Sequence, residues 1–361
     1  MKVLHVSPLA FGSRGGGGVV GGGERYPIEL ARAMAALVET RFMTYGAARD
    51  ERDGALAVRS YAPVAYVGTK KLGPVHPALA LEIARADVVH CHQLHTFLAD
   101  QCVVLARLLR KPVFLTDHAG GDRHFNHRLG TVNRASGLLL VSHFNARGFA
   151  AHAPKIRVIH GGVDTERFRA SGVARRRAAL YVGRLIPYKS VHSLIEAVDD
   201  ETEVRIAGEG YHDEYERHLG KVARGKNVHF MGAIHGQALV DVYSAAGVSV
   251  LPSVETDLYG KHYPKSEILG LALLEAMACE TPVVCSAIGG MPELVVNGTT
   301  GIVVPPNDGT ALGAAVEGLL DDPAHARRLG EAGRAHVLER FTWTHVAQRC
   351  LDAYRDLAGG R

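Results

Sequence analysis

The chain has 361 residues, 47% of them hydrophobic and 22% charged, a composition that is ordinary for a globular protein and excludes a disordered chain. This length predicts about two domains, each large enough for its own core, and no run approaches the roughly 18 apolar residues of a membrane-spanning helix. The net charge of +4 is uneven, because residues 1–170 carry 22 Lys and Arg against 13 Asp and Glu, whereas residues 171–361 carry 19 against 24.

The basic first half is consistent with an anionic partner. A phosphorylated acceptor or weak contact with an anionic membrane surface would fit, although a plain solvated basic surface explains the charge as well. Nucleic acid is not expected, because the positive residues are scattered and are not interleaved with aromatic residues.

The cysteines and the N-terminus bear on the compartment. The five cysteines are odd in number and form no CxxC pair, which favours a reducing compartment and no disulfide framework. The opening stretch "MKVLHVSPLAFG" lacks the long apolar core and the cleavage site of a signal peptide. We expect a cytoplasmic protein, at most peripheral to the inner face of the membrane.

Short apolar runs alternate with helical patterns along the whole chain. The first half contains "KVLHVS", "ETRFMTY", "ADVVHCH", "PVFLTDH", "GLLLVS" and "IRVIHGG"; the second contains "AALYVGR", "EVRIAGE", "NVHFMGA", "GVSVLPS", "TPVVCS" and "GIVVPP". Nearly continuous apolar strands separated by helices predict α/β domains with parallel sheets covered on both faces. We expect two Rossmann-like domains, 1–168 and 169–340, and a final amphipathic helix within 341–361.

A glycine-rich stretch follows the first predicted strand. "SRGGGGVVGGGERY" places seven glycines before a helix that we expect to start near Glu24. Gly21, Gly22 and Gly23 would let backbone N–H groups approach an anion at the helix start, unless the stretch is only a flexible loop. It is not a clean GxGxxG, and no acidic residue ends the second strand, so no NAD site is predicted.

Histidines follow two further strands. His118, in "TDHAGGD", lies at a strand end beside two glycines, where it would hydrogen-bond a substrate hydroxyl, act on a proton or merely cap the loop. His90, His92 and His95, in "VVHCHQLH", resemble a metal cluster, but such spacing misleads in a chain with 20 histidines. No metal site is predicted.

Two cations follow the first strand of the second half. In "YVGRLIPYK" Arg184 and Lys189 lie five residues apart, an arrangement that suits a diphosphate on which negative charge develops. This pair alone is a weak signal. Its combination with two glutamates further along the same half makes it a strong one.

Those glutamates lie in the apolar stretch "SEILGLALLEAMAC". A helix that begins near Gly270 would place Glu275 on the same face as Leu271 and Leu274, where a buried carboxylate needs donors such as a sugar diol. Glu267 precedes the helix and would point outward together with the free N–H groups of its first turn. A partly exposed helix whose glutamates face water is the alternative.

With these motifs the sequence resembles the retaining glycosyltransferases of family 4 (GT4), which have the two-Rossmann GT-B fold, most strongly over 180–345. The resemblance implies that the first domain binds the acceptor, that the second binds the nucleotide-sugar across a cleft, and that the final helix packs back on the first domain. The resemblance implies that Arg184 and Lys189 bind the diphosphate of a nucleotide-sugar and that Glu275 binds the ribose hydroxyls. It further implies that three groups contact the sugar or close over the phosphates. These are Glu267 with the amides of Leu269, Gly270 and Leu271, His118 from the opposite domain, and the loop of Gly21, Gly22 and Gly23.

The resemblance also implies hexosyl transfer with retained anomeric configuration. We expect front-face attack, because a double displacement would need a nucleophile and no carboxylate in the sequence is an obvious one. Arg184, Lys189 and helix N-termini can stabilise the leaving group, so no metal ion or other cofactor is expected. A UDP-sugar is the favoured donor and GDP-mannose the second. Ser190 replaces the usual glycine after the lysine, "EIL" lacks the usual phenylalanine, and residues 254–266 are long enough to form a lid. These departures bear on which donor sugar is bound more than on the class of reaction.

Two other functions and the acceptor stay open. A nucleotide-sugar epimerase on the same fold would need carboxylates for elimination, and a non-catalytic nucleotide-sugar binding protein would not need the sugar-facing groups. The acceptor would meet "GGDRHFNHRLG", residues 120–130. Its class, a sugar, a secondary metabolite or a lipid-linked phosphate, does not follow from the sequence.

Overall fold

The protein is described from a computed structural model, which covers residues 1–8, 22–68, 73–118, 130–210 and 212–358. It has two compact units: Met1–Gly162 with Trp343–Arg361, and Val163–Thr342. The domain limits expected from the sequence, after residues 168 and 340, stay predictions. The loop of residues 120–129 lies outside the described residues, as does Gly21.

The first unit contains a predominantly parallel sheet. Its strands are β1 (Lys2–Val6), β2 (Glu39–Tyr45), β3 (Arg49–Asp53), β4 (Leu56–Tyr61), β5 (Ala65–Tyr66), β6 (Pro74–Val75), β7 (Val88–His92), β8 (Val113–Thr116), β9 (Gly137–Leu140) and β10 (Ile156–Val158). The eight-stranded sheet has the order β10-β9-β8-β7-β1-β2-β4-β3, while β5 and β6 form a separate pair. Only β3 runs antiparallel to its neighbour in the large sheet.

The helices of the first unit are α1 (Gly22–Ala35), α2 (Ala78–Ala84), α3 (Phe97–Leu108), α4 (Thr131–Arg134) and α5 (His143–Arg147), and the last helix of the chain (Trp343–Ala358) joins them. Helix α3 begins where the hydroxyl of Thr96 accepts a hydrogen bond from the N–H of Ala99. Strands β7, β8 and β9 are buried along their whole length, because helices cover the sheet. That burial explains their continuous apolar sequences.

The second unit is a parallel six-stranded sheet with helices. Its strands are β11 (Ala178–Val182), β12 (Glu203–Ala207), β13 (Val228–Gly232), β14 (Val248–Leu251), β15 (Val283–Ser286) and β16 (Ile302–Val304), in the order β13-β12-β11-β14-β15-β16. Its helices are α6 (Val191–Ala197), α7 (Asp213–Val222), α8 (Gly236–Ala245), α9 (Leu271–Ala278), α10 (Gly309–Asp321) and α11 (Pro323–Arg340). This strand order is that of a doubly wound Rossmann sheet.

All twelve apolar runs that the sequence predicts as strands are strands, and the predicted α/β class with parallel sheets is confirmed. The sequence did not predict β3 to β6. Strand β3 reads "RDERD" and is largely exposed at the sheet edge, where charged side chains protect an edge strand from pairing with other chains. Without apolar residues it resembles a loop.

Two sequence-based expectations about cysteines and membrane helices can be compared with the fold. All five cysteines are described, and each is free and buried, so they form no disulfide framework. Within the described ranges, no helix combines the length and the apolar character that crossing a bilayer requires.

Candidate functional site

The second unit has its topological switch point between β11 and β14, from which the strand order continues in opposite directions. In open α/β sheets, ligands bind outside the carboxyl ends of the strands at such a point. Arg184 follows β11 there, and Ser253 follows β14. The residues predicted to bind a ligand are therefore to be sought at this edge.

Arg184 is exposed at the end of β11, and a buried tyrosine hydrogen-bonds its backbone carbonyl. The hydroxyl of buried Tyr181 donates a hydrogen bond of 2.8 Å to the carbonyl of Arg184. The preceding residue must be small, because a Cβ on Gly183 would lie 2.8 Å from the Tyr181 hydroxyl oxygen. Burial raises the pKa of Tyr181 well above its usual value, so this hydroxyl remains a donor.

Tyr188 contacts both predicted phosphate-binding cations. A guanidinium nitrogen of Arg184 lies 3.3 Å from the Tyr188 hydroxyl, and the Lys189 ammonium lies 5.7 Å from the centre of the Tyr188 ring. Lys189 ends a short 3-10 turn (Pro187–Lys189), and Ser190 then adopts a left-handed conformation with φ of 53° before α6 begins. A glycine would adopt this conformation more easily, which is the physical reason why Ser190 is unusual there.

Lys189 and Glu267 form an ion pair in the second unit. The Lys189 ammonium hydrogen-bonds Oε1 of Glu267, and the side chains are 14% and 7% exposed. Ser253 donates a second hydrogen bond to the same oxygen, with Oγ 2.7 Å away. The three residues come from separate parts of the chain, and together they satisfy a carboxylate that burial would otherwise penalise.

The backbone of Glu267 is fixed by a glycine turn. The N–H of Gly290 donates to the Glu267 carbonyl at 2.9 Å. Gly289 has φ of +60°, and a Cβ there would lie 1.7 Å from that carbonyl oxygen. Glu267 thus has both its backbone and its carboxylate positioned by neighbours.

Helix α9 begins as predicted, directly after Gly270. Gly270 is its N-cap, with φ of 98° and ψ of 54°, and Leu271 is the first helical residue. The N–H groups of the first turn of a helix lack partners within the helix, so this end of α9 can donate to a sugar or a phosphate.

Glu275 is buried on α9, as its spacing predicts. It is 6% exposed, and the hydroxyl of Tyr243 donates a hydrogen bond of 3.0 Å to its Oε2. Burial, with Glu275 adding to it, raises the pKa of the Cys279 thiol to about 12. Burial and then Glu267 raise the pKa of Cys285 to about 12 as well. Neither thiol is ionised near neutral pH.

Residues 254–266 form a compact loop around Asp257. The Asp257 carboxylate accepts hydrogen bonds from the N–H groups of Tyr259 (2.9 Å) and Lys261 (3.0 Å). The ring of Tyr263 packs against that of Tyr188, with centroids 4.8 Å apart. The loop therefore adjoins the turn that carries Lys189; whether it closes as a lid stays a prediction.

The first unit has its switch point between β1 and β7, and four histidines cluster there. His5 lies opposite His90 in the strand register. Nδ1 of His5 lies 3.0 Å from Nε2 of His92, and Nδ1 of His92 lies 3.3 Å from Nε2 of His118. His95, which the sequence groups with His90 and His92, instead packs on Phe149.

Nitrogens of His5, His90 and His92 lie close enough together for a metal ion, but several of them already make hydrogen bonds. His90 uses both nitrogens, Nε2 with the Thr116 hydroxyl at 2.6 Å and Nδ1 with the Tyr354 hydroxyl at 2.7 Å. The rings of His5 and His92 lie 17° from parallel, and Nδ1 of His5 is within hydrogen-bond distance of Nε2 of His92. The cluster is arranged as a hydrogen-bond network.

His118 is held from two directions within the first unit. Besides His92, it contacts Tyr26 of α1, with ring centroids 4.7 Å apart. The Tyr26 hydroxyl in turn donates to the backbone carbonyl of His160. Helix α1 begins at Gly22, two residues earlier than predicted, so Gly22 and Gly23 form its first turn and not the preceding loop.

Family comparisons agree with these two units. A model described as "Glycosyltransferase Family 4" matches residues 20–167, and one described as "Glycosyl transferases group 1" matches residues 163–336. A D-inositol 3-phosphate glycosyltransferase of Kribbella flavida is 30% identical, covering 98% of this chain and 94% of its own. A glycogen synthase of Mycobacterium tuberculosis is 32% identical over 75% of this chain and 69% of its own length. The chain belongs to the GT4-type glycosyltransferases.

Solved structures show which fold this glycosyltransferase has. The Anabaena protein HepE, in complex with UDP and glucose, has a TM-score of 0.74 at 19% identity, covering 99% of this chain and 100% of its own. Sucrose-phosphate synthase from Thermosynechococcus elongatus has a TM-score of 0.73 at 24% identity over the whole of both chains. The predicted GT-B fold is confirmed.

Four polar residues were not predicted as site residues of the glycosyltransferase: Ser253, His5 and Gln93 at these switch points, and Tyr243 beside Glu275. Gln93 follows β7 with φ of 66°, and its buried amide oxygen lacks a partner among the described residues. His5 had a signal, since it is a histidine in an otherwise apolar strand. Tyr243 had none, because its role depends on a contact 32 residues away.

Proposed function

We infer that this glycosyltransferase moves a hexosyl group from a nucleoside-diphosphate sugar to an acceptor hydroxyl, with retention of anomeric configuration. The observation that carries the proposal is the Lys189–Glu267 pair beside Arg184 at the switch point of the second unit. A nucleotide-sugar offers a partner to each group, because its diphosphate binds cations and its sugar hydroxyls donate to carboxylates.

The ion pair suggests how the donor would be bound. Without a ligand, Lys189 and Glu267 neutralise each other. We propose that the diphosphate draws the Lys189 ammonium away, which frees Glu267 to accept hydrogen bonds from the sugar. Ser253 would hold the carboxylate in place during this exchange, since its hydroxyl already donates to Oε1.

Departure of the nucleoside diphosphate leaves negative charge that must be stabilised. Arg184 and Lys189 would supply positive charge, and the first-turn amides of α9 near Gly270 and Leu271 would add donors, so the step as proposed needs no metal ion. Glu275 would accept from the ribose hydroxyls, and His118 would contact the donor sugar. Front-face attack is proposed because Glu267 is assigned to positioning the sugar and no other carboxylate in the sequence is an obvious nucleophile; the leaving phosphate would take the acceptor proton.

A uridine nucleotide is the favoured donor, with GDP-mannose second. HepE was crystallised with UDP and glucose, which supports uridine only as an analogy. The acceptor stays open among a sugar, a secondary metabolite and a lipid-linked phosphate. Two of the similar proteins are named alpha-maltose-1-phosphate synthase and D-inositol 3-phosphate glycosyltransferase. Phosphorylated polyols and sugars are therefore the first acceptors to test.

The test is an assay of nucleoside-diphosphate release from UDP-sugars and GDP-mannose, with sugar and sugar-phosphate acceptors. We expect acceptor-dependent release and a product whose anomeric configuration, read by NMR, matches the donor. Product of inverted configuration would contradict retention. Conversion of the donor sugar without acceptor would instead identify an epimerase, and binding without turnover would identify a binding protein.

A further inference from the structure

Three histidines of the first unit form a chain of hydrogen bonds that ends at His118. The contacts run from Nδ1 of His5 to Nε2 of His92, and from Nδ1 of His92 to Nε2 of His118. His5 and His92 are fully buried. The Nδ1 atom of His118 makes no hydrogen bond with the part of the chain that the structure describes, and is the nitrogen left for a ligand.

All three imidazoles are neutral at neutral pH. Burial lowers the pKa of His5 to about 3 and that of His118 to about 4, and it lowers the pKa of His92 well below its usual value. A neutral imidazole has one N–H and one lone pair, so each link needs one donor and one acceptor. The N–H groups along this chain of hydrogen bonds can therefore all point toward His118 or all point toward His5.

The end of the chain at His5 distinguishes these directions. Nε2 of His5 is buried and has no hydrogen-bond partner among the described residues. If His118 donated inward, this nitrogen would carry an orphaned N–H, and buried N–H groups without a partner are rare. If His5 donates outward from Nδ1, only a lone pair is left unused, and every link of the chain is satisfied.

We propose that His5 and His92 are positioning residues that fix the tautomer of His118, so that His118 presents an Nδ1–H donor to its ligand. The identification of that ligand as an oxygen of the donor sugar rests on the proposed function. The hydrogen bond made by one ring nitrogen decides which proton the other nitrogen carries. His118 would thus donate to a hydroxyl oxygen and would not act as a base.

Nitrogen-15 NMR of histidine-labelled protein without ligand tests the tautomer directly, because protonated and unprotonated ring nitrogens differ strongly in chemical shift. The signals of His118 are assigned by their loss in His118→Gln. We expect Nδ1–H with unprotonated Nε2 in His5, His92 and His118. An Nε2–H tautomer at His118 would overturn the proposal.

Variants separate this role from packing. In His92→Phe the chain is broken, and we expect the Nε2–H form to appear at His118. His90→Phe is the matched control, since His90 is also buried and stacks on His92 with centroids 4.4 Å apart, but donates nothing to this chain. His92→Asn, which keeps an N–H near the Nδ1 position, should restore the Nδ1–H form. An equal change of tautomer in His90→Phe would contradict the proposal.

Kinetics connect the tautomer to the reaction. In His92→Phe we expect kcat to fall about 10-fold or more with a smaller change in KM, because the donor acts as charge develops. Turnover without the Nδ1–H tautomer would refute this inference and leave the proposed function standing. The Nδ1–H tautomer in a protein that turns over no nucleotide-sugar would instead refute the proposed function.

Discussion

Lys189 and Glu267 lie 78 residues apart in the chain and form an ion pair whose carboxylate also accepts from Ser253. The pair joins the turn after β11 to the segment before α9. A nucleotide-sugar carries groups that suit each partner separately, so under the proposed function this contact would be exchanged when the donor binds.

Lys189→Met should lower the free energy of unfolding by about 3 kcal/mol, since it leaves a buried carboxylate without its counter-charge. The double variant Lys189→Met/Glu267→Gln should recover part of the loss. Urea unfolding measures both. The control is Lys2→Met, which removes a pair with Glu39 whose side chains are 53% and 58% exposed, and which should cost less than about 1 kcal/mol. Equal losses for Lys2→Met and Lys189→Met would show that the inner pair has no special role.

Tyr243→Phe should destabilise the second unit and weaken nucleotide binding, because the Tyr243 hydroxyl donates to buried Glu275. A hydrogen bond to a charged group contributes about 1.5–3 kcal/mol. Tyr45→Phe is the matched control, since the buried Tyr45 hydroxyl has no partner among the described residues and its removal should cost nothing. Thermal unfolding and UDP titration measure the two effects. Unchanged UDP affinity in Tyr243→Phe would argue against a role for Glu275 at the ribose.

Gly289→Ala should reduce both stability and turnover, while Gly298→Ala should reduce stability only. Both glycines have positive φ, +60° and +73°, so alanine is strained at each by about 1 kcal/mol or more. Only at Gly289 would the new Cβ meet a backbone atom, the Glu267 carbonyl oxygen, whereas nothing lies within 4 Å at Gly298. Urea unfolding and kcat distinguish them. Normal turnover in Gly289→Ala would show that the position of Glu267 is not critical.

The free energy of unfolding should fall as the pH is lowered from 7 to 5. Burial lowers the pKa of His5 to about 3, so below pH 6.5 the unfolded chain takes up a proton that the folded protein does not bind. This contributes a loss of about 1.4 kcal/mol per pH unit for that residue. Unfolding titrations at several pH values should show a shallower slope in His5→Gln and the parent slope in the exposed control His229→Gln. If the free energy of unfolding of the parent protein did not change with pH, the burial of a neutral His5 would be contradicted.

The sequence predicts most of the sheet structure because apolar periodicity is local. It locates Arg184 after a strand, Gly270 at a helix start and Glu275 on a buried helix face because strand ends and helix starts are local too, while the binding roles of these residues and of Lys189 stay predictions. The sequence does not predict the hydrogen bonds and ion pairs that these side chains make with distant residues. Lys189 with Glu267 and His5 with His92 are 78 and 87 residues apart, and no local pattern encodes such contacts. The start of α1 was misplaced by two residues because Gly22 and Gly23 are poor helix formers, which the helix includes nonetheless.

The most direct test of the central claim, that the second unit binds a nucleoside diphosphate, is a thermal-shift panel of UDP, GDP, ADP and dTDP. A ligand that binds only the folded state adds about 2.7 kcal/mol of stability at 100 times its Kd. We predict that UDP raises Tm in the parent and in the exposed control Arg327→Ala, but much less in Arg184→Ala. No rise with any nucleotide, or an equal rise in Arg184→Ala, would contradict the assignment of the diphosphate to Arg184 and Lys189.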